Sequence, residues 1–514
     1  MASNRSVLYN KLKSIVGSEN VTDKEIILDA YMGGGPVISA AVGRDRASQR
    51  REAVQEKKPG FVVRAGSTEE VQEIVRLANQ YKVPIIPLGA FTSTYYETTP
   101  TEGCIMLDLS RMKKIELDEE SKTVTLEPGV TWAQAYRELA MKGYWVSNQA
   151  SPGSVSILGT TSQAGMHLPW DKLAVPPIMS SYYSDLTLGT EIVLPTGELL
   201  VTGSAALPGV KPRAERAYGP GLAHIFLGAQ GTLGIVVKQT LPLWPIPEVR
   251  LIVTGLFTHE NFKGLSNSMY RIMSDVFGGG PVWAERVSAF YDGTYRQEWE
   301  FYMDIYGSKE LVKRLREYVE GIITEEGGTL YLTPRLFEPE NTPSPQGQEE
   351  VIFWRPRAGS INMPVPGVAS AGVGGRAHYQ KIPELYDAML KIFAKHGIPI
   401  SRFRRGGAGT RGKNVDIQSV SLSYNYDLND AEEAKRAKAI AEEWPQVYSE
   451  ITGEEFRGVR GFSAAAIAYR VTPETAKTAM PMLGEYYKLL VKLKHMLDPN
   501  RIMNPGKLMD LEPY

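Results

Sequence analysis

Residues 61–89 read FVVRAGSTEEVQEIVRLANQYKVPIIPLG, and any fold for this chain must house them as one unit. FVVRA is a β-branched, apolar run of strand character. Ser67 with Glu70 three residues on is a capping-box signature, and Val71, Ile74, Val75 and Ala78 continue it as a helical apolar stripe. VPIIPLG returns to strand character, so the stretch predicts strand–helix–strand. The strand then runs into AFTSTYYETTP, a loop of small polar residues carrying two adjacent tyrosines, Tyr95 and Tyr96.

Further strands are expected at CIMLDLS (104–110) and TVTLEPGV (123–130), with a helix from Trp132 to about Lys142. DLTLGTEIVLPTGELLVTG reads as a hairpin turning at Pro195, Thr196 and Gly197. From about residue 248 the texture changes to strands alternating with helices. EPENTPSPQGQEE (338–350) is the best surface-loop candidate there, and DAEEAKRAKAIAEEW (430–444) reads as a helix with a solvated face. A long helix follows in MPMLGEYYKLLVKLKHMLDP, ahead of NRIMNPGK.

With 514 residues, two or three domains are expected. A formal net charge of −1 provides no global field to draw in nucleic acid or an acidic membrane. Cys104, the single cysteine, cannot form an internal disulfide or a thiolate metal cluster. The N-terminal MASNRSVLYNKLKSIVG has no secretory pattern and reads as an amphipathic helix with Val7, Leu8, Leu12, Ile15 and Val16 on one face. No apolar run has the length of a membrane span, and a soluble, cytoplasmic protein is expected.

Several chemistries lack their signatures. There is no Gly-x-Gly-x-x-Gly after the first strand, no Gly-Lys-Ser/Thr phosphate loop and no Gly-x-Ser-x-Gly elbow. The six histidines are scattered without zinc-ligand spacing, so no metal is expected. His378 is a base candidate, although a lone histidine is more often structural.

Three stretches share another character: PLGAFTST (87–94), SPGSVSILGTTSQAG (151–165) and GAQGTLGIVV (228–237). Each is a small-residue loop abutting a strand, where backbone N–H groups can converge on an anion without side-chain obstruction. A cofactor pyrophosphate can be held this way. Singly they read as turns; together they point to a nucleotide cofactor.

In order, spacing and local chemistry, residues 56–247 resemble the FAD-binding domain of the vanillyl-alcohol oxidase and p-cresol methylhydroxylase (PCMH-type) superfamily. The segments that carry the likeness are PGFVVRAGSTEEVQEIVRLANQYKVPIIPLGAFTST, IMLDLSRMKKIELDEESKTVTLEPGVTWAQAYREL, GTEIVLPTGELL and LGAQGTLGIVVKQTLPLWPIP. LDPNRIMNPGK is similar to the superfamily's terminal motif, where the chain returns to the flavin domain. The resemblance implies an α+β fold: a PCMH-type FAD-binding domain over 1–247, a cap domain with an antiparallel sheet and flanking helices over 248–468, and a segment over 469–514 returning to the flavin domain.

It also implies cofactor contacts. On the first loop these are Pro87, Gly89, Ala90, Phe91, Thr92 and Ser93. On the second they are Pro152, Gly153, Ser154, Leu158, Gly159, Thr160 and Gly165. Gly234, Ile235 and Val236 follow on the third, and Asn504 and Lys507 on the terminal motif.

Within the superfamily, the glycolate and lactate dehydrogenase branch carries a histidine-rich motif that is missing here. The 4-alkylphenol-oxidising branch holds a phenolate with two tyrosines and an arginine, and Tyr95, Tyr469 and Arg470 stand at similar places. The implied reaction is hydride transfer from a small aromatic, 4-substituted phenol to flavin N5, with Tyr95, Tyr469 and Arg470 catalytic. Phenol O–H groups and a guanidinium stabilise the phenolate, which pushes electron density toward its para carbon. Tyr96, Ser151 and Arg405 would contact substrate. Arg405 belongs to RFRRGGAGTRGK (402–413), a basic loop expected around a glycine-rich turn.

The sequence also departs from the family. Ala90 and Phe91 replace a glycine and a polar residue, Ser151 an acid, and Leu168 a tyrosine. Ile400 and Lys413–Asn414 leave no nucleophile where relatives attach flavin, which implies noncovalent FAD. A 2-hydroxy-acid dehydrogenase and an electron-relay flavoprotein subunit are the alternatives. An electron-acceptor protein is a candidate partner, and a homodimer the expected assembly.

Overall fold

The computed structural model describes residues 2–32, 57–91, 98–146, 155–164, 186–275, 283–291, 294–330, 368–411, 414–427, 430–453 and 480–510. Its first part comprises α1 (Ala2–Val16), β1 (Val21–Thr22), α2 (Glu25–Met32), β2 (Phe61–Arg64), α3 (Thr68–Tyr81), β3 (Ile85–Leu88) and β4 (Ile105–Asp108). Ser67 Oγ accepts from Glu70 N as the spacing predicts, while Glu70 Oε2 reaches back one residue past the cap and accepts from Gly66 N at 2.7 Å. Val71, Ile74, Val75 and Ala78 are fully buried. The strands run β1-β2-β4-β3, with β4 parallel to both β2 and β3. The two strands of the 61–89 unit are therefore not neighbours; β4 lies between them. On α1, Leu8, Leu12 and Val16 are buried, but Val7 is 43% exposed and leaves the expected apolar face.

The second part comprises β5 (Ile115–Asp118), β6 (Thr123–Leu126), α4 (Trp132–Ala140), β7 (Tyr144–Trp145), α5 (Ile157–Ala164), β8 (Gly189–Val193), β9 (Leu199–Val201), α6 (Ala223–Phe226), β10 (Ile235–Pro242) and β11 (Trp244–Pro245). An antiparallel sheet β5-β6-β10-β8-β9 forms, and β7 pairs with β11. The predicted hairpin is β8–β9. Gly197 N closes its turn on Leu194 O, and the φ of +81° at Gly197 suits glycine.

The third part comprises β12 (Val249–Phe257), α7 (Phe262–Asp275), β13 (Trp283–Tyr291), β14 (Thr294–Gly307), α8 (Lys309–Glu325), β15 (Thr329–Leu330), β16 (Val368–His378), α9 (Ile382–Lys395), β17 (Phe403–Arg411), β18 (Asn414–Asp427) and α10 (Ala431–Thr452). Its seven strands form one antiparallel sheet, β15-β12-β14-β13-β17-β18-β16. Helices α7, α8, α9 and α10 contribute Leu265, Ile322, Met389 and Trp444 to its hydrophobic core. Tyr386 stacks on Phe262 with centroids 4.0 Å apart, and its hydroxyl accepts from Trp299 Nε1. Burying that hydroxyl costs little because it is hydrogen-bonded.

Residues 403–411 form strand β17 rather than the expected glycine-rich turn, because their backbone is taken up by β13 and β18. Arg402 forms a two-pronged ion pair with Glu433 of α10 and lies over the Tyr424 ring at 5.4 Å. It therefore fastens the sheet to its helix.

The last helix, α11 (Glu485–Leu497), precedes a return to the first sheet. Ile85 N donates to Ile502 O at 2.7 Å, and Asn504 N donates to Ile85 O at 2.9 Å, so the terminal segment lies along β3. Among the described residues, no helix is long and apolar enough to cross a membrane.

Candidate cofactor and active site

The loop leaving β3 begins at Gly89, and its backbone approaches two others. A Cβ there would lie 2.9 Å from Ser156 Oγ and 3.4 Å from Pro128 O. Ser156 cannot yield easily: its hydroxyl donates to Pro128 O at 2.6 Å and accepts from Gly159 N at 2.9 Å, capping α5. Only glycine fits such an approach.

The loop after α6 closes another side. Gly228 N and Gln230 N donate to Thr161 O and Ser162 O of α5. Gly231, at φ +71°, leaves no room for a side chain, since a Cβ would sit 2.5 Å from Pro87 Cγ. Asn504 Nδ2 donates to Gln230 O at 2.7 Å, which joins the terminal motif to this loop.

These segments form a cradle of backbone and small side chains at the end of β3. Oγ1 of Thr160 and Nε2 of Gln230 are buried without a hydrogen-bond partner among the described residues. Orphaned buried polar atoms are rare in native structures. Here they accompany glycine-lined backbone near a helix start, a surface suited to a polar, anionic nucleotide.

Around the cradle, Lys494 of α11 is fully buried and donates to Thr232 O at 2.9 Å, Met503 O at 2.7 Å and Asp498 Oδ2. Burial lowers its pKa, with the nearby carboxylates opposing that shift. Three acceptors for three N–H groups fit an ammonium. The Cys104 thiol is pushed up to about 12 by burial, which makes it a packing group and not a nucleophile.

Not every expected contact faces the cradle. Pro87, Gly89, Gly159, Thr160 and Asn504 meet there as described. Ala90 and Phe91 continue the first loop, Phe91 with the left-handed φ of +52°. Leu158 packs in the hydrophobic core at 1% exposure, so its side chain is structural. Ile235 and Val236 are ladder residues of β10 opposite Val193 and Ile192, and Gly234 packs against those same two residues. Lys507 is buried, and its backbone carbonyl accepts from Asp510 N. Arg405 lies on β17 opposite Ser423. Thr92, Ser93, Tyr95, Tyr96, Ser151, Pro152, Gly153, Ser154, Gly165, Tyr469 and Arg470 lie outside the described residues.

Ser156, Gln230, Gly231 and Lys494 were not expected. The spacing of Ser156 to Gly159 and the glycines flanking Gln230 were available signals; Lys494 offered only Asp498 four residues on. Among the described residues, no group of three or more histidine, cysteine or acidic side chains is placed to hold a metal ion.

Residues 59–203 match the family described as "FAD binding domain", and residues 478–508 match "FAD linked oxidases, C-terminal domain". The chain is similar to the glycolate oxidase subunit GlcD of Bacillus subtilis, at 24% identity over 88% of this chain and 89% of that protein. The fold is similar to that of 4-ethylphenol oxidase from Gulosibacter chungangensis in complex with isoeugenol. That likeness has a TM-score of 0.73 at 19% identity and covers 99% of this chain and 98% of the other. For p-cresol methylhydroxylase with substrate bound, the TM-score is 0.72 at 19% identity, with the same coverage.

The two family matches mark the chain as an FAD-linked oxidoreductase. Its fold is the PCMH-type FAD-binding fold, and its cofactor is FAD.

Proposed function

We propose that this flavoenzyme oxidises a small 4-substituted phenol at the carbon attached to the ring's para position. One observation carries the reading. Tyr95 and Tyr96 follow Phe91 by four and five residues, at the exit of a cradle otherwise built from small residues. Five residues of chain reach at most about 18 Å, which limits how far both backbones can lie from Phe91. When bound, FAD would supply a two-electron acceptor for hydride from the substrate carbon.

The chain's own groups do the rest. Tyr95 and Tyr469 donate hydrogen bonds to the substrate oxygen, and Arg470 balances its negative charge, so the phenol binds as phenolate. The seven-stranded antiparallel unit, within residues 248–468, serves as the cap over the substrate. FAD is held without a covalent bond, because Ile400 and the Lys413–Asn414 pair offer no attachment nucleophile of the family's kind.

Anaerobic mixing with 4-alkylphenols tests the reading by bleaching of flavin absorbance. Tyr469→Phe and Arg470→Lys should weaken phenol binding sharply at unchanged flavin content, since lysine lacks the planar guanidinium fork. Unaltered phenol binding in both variants overturns the clamp. After acid precipitation the yellow colour should stay in the supernatant; colour in the pellet overturns noncovalent binding.

A second reading is oxidation of a 2-hydroxy acid, with arginines holding its carboxylate. Its support is the likeness to the glycolate oxidase subunit over most of the chain. Bleaching by 2-hydroxy acids and not by 4-alkylphenols would select it.

A further inference from the structure

The N-terminal helix α2 reaches the flavin cradle through one side chain. The Tyr31 ring stacks on the Phe91 ring, with centroids 5.1 Å apart and planes 15° apart. The Tyr31 hydroxyl donates to Asp108 Oδ2 at 2.7 Å. Asp108 ends β4, directly beside Leu88 in the parallel register, so it adjoins the point where β3 gives way to the cradle loop. Asp108 is itself held: its Oδ1 accepts from Ser110 N at 2.8 Å, and Arg64 Nε of the neighbouring β2 lies 3.8 Å from Oδ2. Beneath the stacked rings lie Leu28, Val62, Ile86, Leu88 and Met106, a small apolar cluster of their own.

Phe91 needs such support. It is a bulky residue in the left-handed region, where side chains other than glycine crowd the following carbonyl. Gly89 two residues earlier must stay fixed against Ser156, so the loop cannot relieve Phe91 by shifting as a whole. Strained backbone persists where surrounding structure over-determines it. Here the surrounding structure is Tyr31, oriented by Asp108. Burial and the Asp108 carboxylate both raise the phenol's pKa, which keeps it a donor throughout the working range.

We propose that Tyr31 is a positioning residue of the FAD site: by stacking on Phe91 it holds the cradle loop in its cofactor-binding shape. Helix α2 thereby becomes part of the cofactor site, although it is remote in sequence from most of the flavin-binding motifs. The proposal rests on FAD being the cofactor, and FAD binding by the unaltered protein checks that assumption separately.

The test measures the FAD dissociation constant of apoprotein by quenching of flavin fluorescence, alongside its Tm. Tyr31→Ala should raise Kd on the order of ten-fold, the scale of releasing one strained left-handed residue. Tyr31→Phe, which keeps the stack and loses the hydroxyl, should fall between Tyr31→Ala and the parent. Phe91→Gly removes the strain, since glycine adopts positive φ freely. Adding Tyr31→Ala to Phe91→Gly should therefore leave Kd unchanged from Phe91→Gly alone.

A purely structural role for Tyr31 would lower Tm and weaken FAD binding to the same extent in both backgrounds. That result overturns the proposal, as does parental affinity in Tyr31→Ala. Should Tyr31→Ala not fold, Tyr31→Leu in the same two backgrounds gives the same comparison.

Discussion

Replacing Lys494 with methionine keeps most of the side-chain volume and removes a buried ammonium with three acceptors. Breaking a buried ion pair from one side costs roughly 3–5 kcal/mol, because the remaining charge is left uncompensated. Asp498 is 1% exposed in its side chain but still accepts from Ile502 N and Met503 N, which favours the lower end. Thr232 O and Met503 O each lose a donor, worth about 1 kcal/mol apiece at most. The sum is about 3–5 kcal/mol, a fall in Tm on the order of 10 °C for a domain of 150–250 residues. Thr232 and Met503 adjoin the Gln230–Gly231 loop and Asn504, so FAD affinity should fall as well. Scanning calorimetry of apoprotein, paired with FAD titration, reads both effects. A Tm within about 2 °C of the parent, where roughly 10 °C is expected, with unchanged FAD affinity would refute the reasoning.

Two further outcomes are expected. Gly89→Val places methyl groups where a bare Cβ is already 2.9 Å from Ser156 Oγ, so FAD uptake should be lost, with an overpacking cost of about 1–3 kcal/mol in apoprotein Tm. The Arg402 hydrogen bond is the main cause holding Glu433 below its ordinary carboxylate pKa of 4.5. A depressed carboxylate gives stability that is present above the ordinary value and lost as pH falls through the folded one. Acid unfolding of the parent, followed by circular dichroism below pH 4.5, should thus be steeper than that of Glu433→Gln; superimposable curves would count against the pair.

Much of the fold could be read from local pattern. The stripe of α3 and the β8–β9 hairpin follow from spacing between nearby residues, whereas the antiparallel sheet of the third part was implied by the family resemblance alone. The cradle was legible through its small-residue loops, and Asn504 through the terminal motif. What escaped depends on contacts distant in sequence. Nothing in residues 61–89 says that β4 inserts between β2 and β3. RFRRGGAGTR has the composition of a turn, yet strand neighbours on both sides hold it as β17. Arg402 opens the same basic run, and nothing local says that Glu433, far along the chain, pairs with it. Lys494 reads as one more lysine on the charged face of KLLVKLK, and only the terminal segment wrapping beneath α11 buries it. Tyr31 carries no local signal at all, because its partners Phe91 and Asp108 come from later strand ends.

Titration of purified apoprotein with FAD, followed by flavin fluorescence and calorimetry, tests the central claim most directly. Saturable uptake of one FAD per chain is expected, abolished by Gly89→Val. A folded parent protein that takes up no FAD, or a Gly89→Val variant that binds it as tightly, would contradict the cradle assigned to the end of β3.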